Sequence, residues 1–186
     1  SAITDATGYY SITVNYGYSG DATPAKTGWS FSPTSTSYTS VTSNQANQDY
    51  TGHINTYTIS GNILEPDNTP VDAVTVTFSN GAGSAITDAT GYYSITVNYG
   101  YSGDATPDKT GWSFSPSTIS YTNVTSNQTN QDYTANINTY TISGNILEPD
   151  NTPVENVTVN FSNGAGSTIT DASGYYSITV DYGYSG

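Results

Sequence analysis

Cysteine, methionine and arginine are all absent from this chain, and its only two lysines are Lys26 and Lys109. Without thiols there is no disulfide to staple a small domain and no thiolate for zinc or nucleophilic chemistry, so folding rests on packing. With fifteen acids against two lysines the net charge is −13. That balance makes nucleic acid and anionic membrane surfaces poor partners, and neither is expected, because phosphate neutralisation needs Lys and Arg. Leucine occurs only at Leu64 and Leu147. No window repeats apolar residues at i, i+3, i+4 and i+7 over three turns, so helices have little to form from. The apolar runs are only a few residues long, and membrane insertion is not expected. No Ser-His-Asp, Cys-His, zinc or phosphate-loop pattern is present. Paired-carboxylate hydrolysis needs a cleft that short loops would not build. The expectation is a protein without catalysis of its own.

What is present is repetition. Residues 1–24, SAITDATGYYSITVNYGYSGDATP, recur unchanged at 84–107, and a close variant, STITDASGYYSITVDYGYSG, fills 167–186. The period is 83 residues, and 1–83 differs from 84–166 at 11 positions. Such a period exceeds a solenoid unit and suits a small autonomous domain, so the expectation is beads on a string. Eighteen tyrosines, with many Val, Ile and Thr, are the residue types that fit a pleated, half-buried surface. Charged residues make up only 9%, so surface polarity falls to Thr, Ser and Asn. The eleven changes fall mostly on Thr, Ser, Asn and Asp at positions expected outward or in loops, with the inward stripes unchanged between copies.

A complete module is predicted at 55–137, flanked by a partial one at 1–54 that lacks the first two strands and another at 138–186 that lacks the last. The first strand spans Thr56–Leu64, and Glu65–Val71 is an acidic, Pro-containing turn. A second strand, Val74–Ser79, alternates Val74, Val76 and Phe78 inward with Thr75 and Thr77 outward. A short strand at Ser84–Thr87 leads to the turn Asp88–Gly91, after which Tyr93, Ile95 and Val97 form the next inward stripe. Further strands are expected around Asp104–Pro107, Trp112–Ser115, Tyr121–Val124 and Gln131–Thr134. Seven or eight short strands with turn signals every 8–12 residues predict an all-β, Ig-like or prealbumin-like sandwich. The expected core is Ile59, Ile63, Val74, Val76, Phe78, Ile86, Tyr93, Ile95, Val97, Trp112, Phe114, Val124 and Tyr133.

The segments ISGNILEPDNTPVDAVTVTFSN (Ile59–Asn80), TDATGYYSITV (Thr87–Val97) and KTGWSFSP (Lys109–Pro116) resemble carboxypeptidase regulatory-like and Cna B-type domains. These are prealbumin-like sandwiches found in tandem on bacterial surface and secreted proteins. The resemblance covers the whole repeat, and its motifs are structural. It implies an extracellular or cell-surface location in a prokaryote and a role as spacer, stalk or adhesive scaffold. Some members carry a Lys–Asn isopeptide bond from a first-strand lysine. Thr56–Leu64 has no lysine, so no such bond is expected.

Several residues are candidates for binding. Asp88, with Asp5 and Asp171 at the same repeat position, and Asp67 and Asp72 in the neighbouring loop, offer oxygens to calcium, most plausibly at a junction between modules. The bland reading is that each Asp caps its own turn. Tyr16, Tyr18, Tyr99 and Tyr101, with Trp29 and Trp112, form a candidate platform for sugar rings, against the reading that they pack loops or the next module. His53 is replaced by Asn136 in the next copy, which marks a solvated linker residue. Asn123, Asn127, Asn156 and Asn160 head N-x-S/T sequons. The chain begins and stops inside modules, from which self-association head to tail into a filament is expected, neighbouring chains completing each other's sheets. The alternative is an accessory array of carbohydrate-binding or spacer modules on a larger secreted enzyme.

Overall fold

Alternation of Val, Ile, Tyr and Phe with Ser and Thr favours strands, and the computed structural model, which describes residues 1–186, contains sixteen of them and no helix. The first four are β1 (Tyr18–Ala22), β2 (Trp29–Ser32), β3 (Thr36–Val41) and β4 (Thr51–Ile54). The next eight are β5 (Thr56–Leu64), β6 (Thr75–Phe78), β7 (Gly83–Ile86), β8 (Tyr92–Asn98), β9 (Tyr101–Asp108), β10 (Trp112–Ser115), β11 (Ile119–Val124) and β12 (Tyr133–Ile137). The last four are β13 (Thr139–Asn145), β14 (Thr158–Phe161), β15 (Gly166–Ile169) and β16 (Tyr175–Asp181).

Strands β5 to β12 make two four-stranded sheets, ordered β10-β12-β5-β8 and β11-β9-β6-β7. All pairings are antiparallel except β5 with β12, where Tyr133 faces Ile63 and Thr134 faces Leu64. The closing segment runs close beside β5. Ser60 N–H donates to the Gln128 carbonyl at 2.9 Å, and Gln131 N–H donates to the Ser60 carbonyl at 3.0 Å. Gly61 makes this approach feasible, since a Cβ there would collide with the Gln131 main chain. Strands β5 and β8 pair over seven residues, from Thr56 opposite Asn98 to Asn62 opposite Tyr92. The flanking segments hold the corresponding pairs: β13 with β16 and β14 with β15 on one side, β1 with β3 and β2 with β4 on the other.

The core lies between the two sheets of 55–137 and comprises fourteen buried residues. Ile59, Ile63, Val74, Val76 and Tyr93 are its most enclosed large side chains. Phe78 lies 6.4 Å from the Tyr93 ring and 6.3 Å from Tyr121, and Tyr93 lies 6.2 Å from Tyr133. Buried hydroxyls need partners. Tyr93 donates to the Gln131 carbonyl at 2.5 Å and Tyr133 to the Ala105 carbonyl at 2.8 Å. The buried Thr87 hydroxyl donates to the Val71 carbonyl and accepts from Val74 N–H, tying the Glu65–Val71 turn to the sandwich.

Three expectations need correction. Ile86 points outward and is 65% exposed, while its neighbour Ala85 is buried opposite Val76. A one-residue change of phase puts the smaller residue inside. Ile95, Trp112 and Phe114 are only half-buried at the edge of the core, whereas Val71, Ala85, Ala105, Tyr121 and Ala135 belong to it. Second, the strand expected around Asp104–Pro107 starts three residues earlier, at Tyr101, and runs through Pro107. Pro107 is tolerated because β11 reaches only as far as Ala105, which leaves that end of β9 an edge. Third, the eleven differences between copies are not confined to the outside. Gly52 becomes the fully buried Ala135, and Thr36 becomes Ile119, which packs against the core.

Candidate functional site

The five nominated carboxylates each have a partner, and four of them find it within their own turn. Asp88 Oδ1 accepts from the Thr90 hydroxyl at 2.6 Å, from Thr90 N–H at 2.8 Å and from Tyr92 N–H at 3.1 Å. The Thr90 hydroxyl, followed by its amide, holds the Asp88 carboxyl below its usual pKa. Asp5 makes the same three bonds with Thr7 and Tyr9, and Asp171 with Ser173 and Tyr175. Asp67 Oδ1 accepts from Thr69 N–H at 3.0 Å. Asp72 meets Lys109, whose ammonium donates to the Asp72 carbonyl at 2.7 Å and to its carboxylate at 3.4 Å. These residues are not brought together, and nowhere do three or more His, Asp or Glu side chains converge on a place for a cation. In this geometry Asp5, Asp67, Asp88 and Asp171 close turns, and Asp72 pairs with the distant Lys109.

The nominated aromatics are dispersed as well. Tyr99, in the turn after β8, is half-buried with its ring 6.3 Å from Tyr57, and it covers Gly28 of the preceding module. Tyr101 packs 6.5 Å from Tyr121 and donates to the Ser79 carbonyl at 3.1 Å. Trp29 and Trp112 each sit under a lysine, with Lys26 Nζ 4.6 Å and Lys109 Nζ 5.4 Å from the ring centres. Tyr16 is open to solvent and Tyr18 is more than a third exposed. Tyr9, Tyr92 and Tyr175, none of them nominated, are the outward members of the Tyr-Tyr pairs and stand exposed at one repeat position. The period-two pattern carried that signal: if Tyr93 faces inward, Tyr92 faces out.

His53 is exposed on β4 opposite Ser30 and contacts no acid. Asn127 is not free, since its side-chain oxygen accepts from Thr58 N–H at 3.0 Å. Two concavities on the surface are open and polar. One is lined by Ser37–Thr42 with Gln45 and Gln48, the other by Asn62, Leu64–Pro66, Asn68 and Asp132–Thr134. They offer hydroxyls, amides and two carboxylates for hydrogen bonding, with no nucleophile paired to a base. No helix is long and apolar enough to cross a membrane.

No family model matches the chain. Over 149 residues, 78% of its length, it is 37% identical to part of a chitinase of Flavobacterium johnsoniae, "Chitinase ChiA". The matched stretch is 9% of that protein. Among solved structures, the Bacillus anthracis TIE protein superposes on 97% of this chain with a TM-score of 0.64 at 14% identity, and the match covers 38% of that chain. The chain thus spans 9% of the chitinase and 38% of the TIE protein, and the structural likeness establishes the all-β fold.

Proposed function

We propose that the chain is a non-catalytic accessory segment of a larger secreted bacterial protein, a tandem array of β-sandwich modules that spaces a carbohydrate-active domain from its surroundings. The observation that carries this reading is the similarity to a short stretch of a chitinase over 149 residues, which is longer than one 83-residue repeat. Dispersed carboxylates and open polar concavities support it, because a hydrolase needs paired acids in a cleft. The proposed kinship with carboxypeptidase regulatory-like and Cna B-type sandwiches fits the same role.

Reading the parent gene is the direct test. A glycoside-hydrolase domain in the same reading frame is expected. The purified chain is expected to leave chitin unhydrolysed and to stay monomeric by light scattering. Turnover of chitin by the chain alone, or growth of fibres with concentration, would falsify the proposal and favour an enzyme or a filament. Retention on insoluble chitin separates a binding module from a plain spacer. The exposed Tyr92 and Tyr175 are the side chains whose removal should then matter.

A further inference from the structure

The joints between modules are built from the same parts twice. Only Asn55 separates β4 from β5, and only Asn138 separates β12 from β13. Both main-chain groups of each Asn are occupied. Asn55 N–H donates to the Gly28 carbonyl of the preceding module at 2.8 Å, and its carbonyl accepts from Tyr99 N–H of the following module at 2.8 Å. Asn138 does the same between Gly111, at 2.8 Å, and Tyr182, at 2.7 Å. A flexible tether would leave these groups to water.

Side chains reinforce the joint. The Tyr99 ring lies against Gly28, and the Tyr182 ring against Gly111, so closely that a Cβ on either glycine would overlap the ring. Both glycines have φ near +80° (+76° and +83°), so the turn asks for glycine on conformational grounds as well. Each ring is braced from its own module, Tyr99 by Tyr57 at 6.3 Å and Tyr182 by Tyr140 at 6.4 Å. The turn that presents the glycine is closed by a hydrogen bond from Trp29 N–H to the Lys26 carbonyl, and from Trp112 N–H to the Lys109 carbonyl. The lysine of each turn also lies over its tryptophan. The two joints agree although 1–54 lacks strands that 55–137 has, so the geometry belongs to the joint and not to the completeness of its neighbours.

We infer that the Lys-Thr-Gly-Trp turn of one module and the turn of the next, Asn-Tyr-Gly at 98–100 and Asp-Tyr-Gly at 181–183, are a docking pair that fixes the angle between modules. The array is then a stiff rod of regular rise and twist in place of independently swinging beads. This does not depend on what domain the rod carries, so it stands or falls separately from the accessory role.

Because the chain has no cysteine, Ser94→Cys and Ser177→Cys place spin labels at equivalent exposed positions in consecutive modules. Pulsed electron paramagnetic resonance on the full chain should give a single narrow distance peak. Inserting a Gly-Ser linker after Asn138 gives the flexible reference, in which that peak is lost. Tyr182→Ala, at a solvent-facing turn outside the core, should also lose the narrow peak while the thermal unfolding curve is retained. A parent distribution as broad as that of the linker variant overturns the rod. A Tyr182→Ala distribution as narrow as the parent's overturns the ring as the lock.

Discussion

Tyr121 shows how much a single hydroxyl can matter. Its ring stacks on Phe78 inside the sandwich, but its hydroxyl is enclosed without a hydrogen-bond partner, while the nearby Tyr93 hydroxyl donates to the Gln131 carbonyl. A buried polar group left unpaired loses its hydration and recovers nothing in exchange. Tyr121→Phe is therefore expected to be neutral or to stabilise the full chain by up to about 1 kcal/mol, read from the urea midpoint. A loss of stability of that size would show that the hydroxyl has a partner in solution. Asp88 is the opposite case, an exposed residue one of whose carboxylate oxygens, Oδ1, accepts three hydrogen bonds from Thr90 and Tyr92. Its motif, TDATG, was legible in the sequence as a turn. The number of bonds one carboxylate oxygen makes there was not.

Among the elements, β7 and β8 show the limits of periodicity. Four residues between two turns cannot fix their own phase: alternation in β7 points Ile86 inward, whereas the structure buries Ala85. A matched pair of substitutions tests the corrected phase. Ile59→Ala, at a fully buried position, should cost about 2–5 kcal/mol. Ile86→Ala should cost less than about 1 kcal/mol. Equal losses by chemical denaturation would restore Ile86 to the core. Strand β8 makes a stronger point. Residues 9–15 and 92–98 are the same seven amino acids, yet Tyr92–Asn98 is a strand paired with β5 and residues 9–15 form none, because no first strand lies beside them in this chain. Amide exchange followed by NMR should find the β5-bonded amides of 92–98 protected and those of 9–15 exchanging quickly. Equal protection would mean that the first copy finds a strand partner in solution, as a filament would supply.

For the whole molecule, stability is concentrated in 55–137, where fourteen of the buried hydrophobic residues lie. That core is unusual in relying on tyrosine. Burial pushes the Tyr121 hydroxyl up to about 12 and raises Tyr93 and Tyr133 further. A neutral acid whose pKa is raised on folding supports the fold fully below its unfolded pKa, near 10, and that support is lost as the pH climbs through the folded value. The chain should therefore hold its stability up to about pH 10 and lose it progressively towards pH 12, seen as tyrosinate absorbance rising together with loss of β-sheet circular dichroism. Tyrosinate forming in full before the sheets melt would contradict the buried placement. The net charge of −13 adds mutual repulsion between modules, which the docked joints must overcome.

The sequence alone determined the all-β class, the 83-residue period, the first strand Thr56–Leu64 and most of the large core residues, because each is written in local alternation or in turn chemistry. The tertiary structure decided the rest. The phase of β7, the burial of Ala105 and Ala135, and the difference between residues 9–15 and 92–98 all depend on which strand lies alongside. The same holds for Gly28 and Gly111. As letters they were turn residues, and only the packing of Tyr99 and Tyr182 from the next module gives them a second reason to be bare. Strand ladders and joints join residues far apart in the chain, and such distant pairings are what local patterns do not encode.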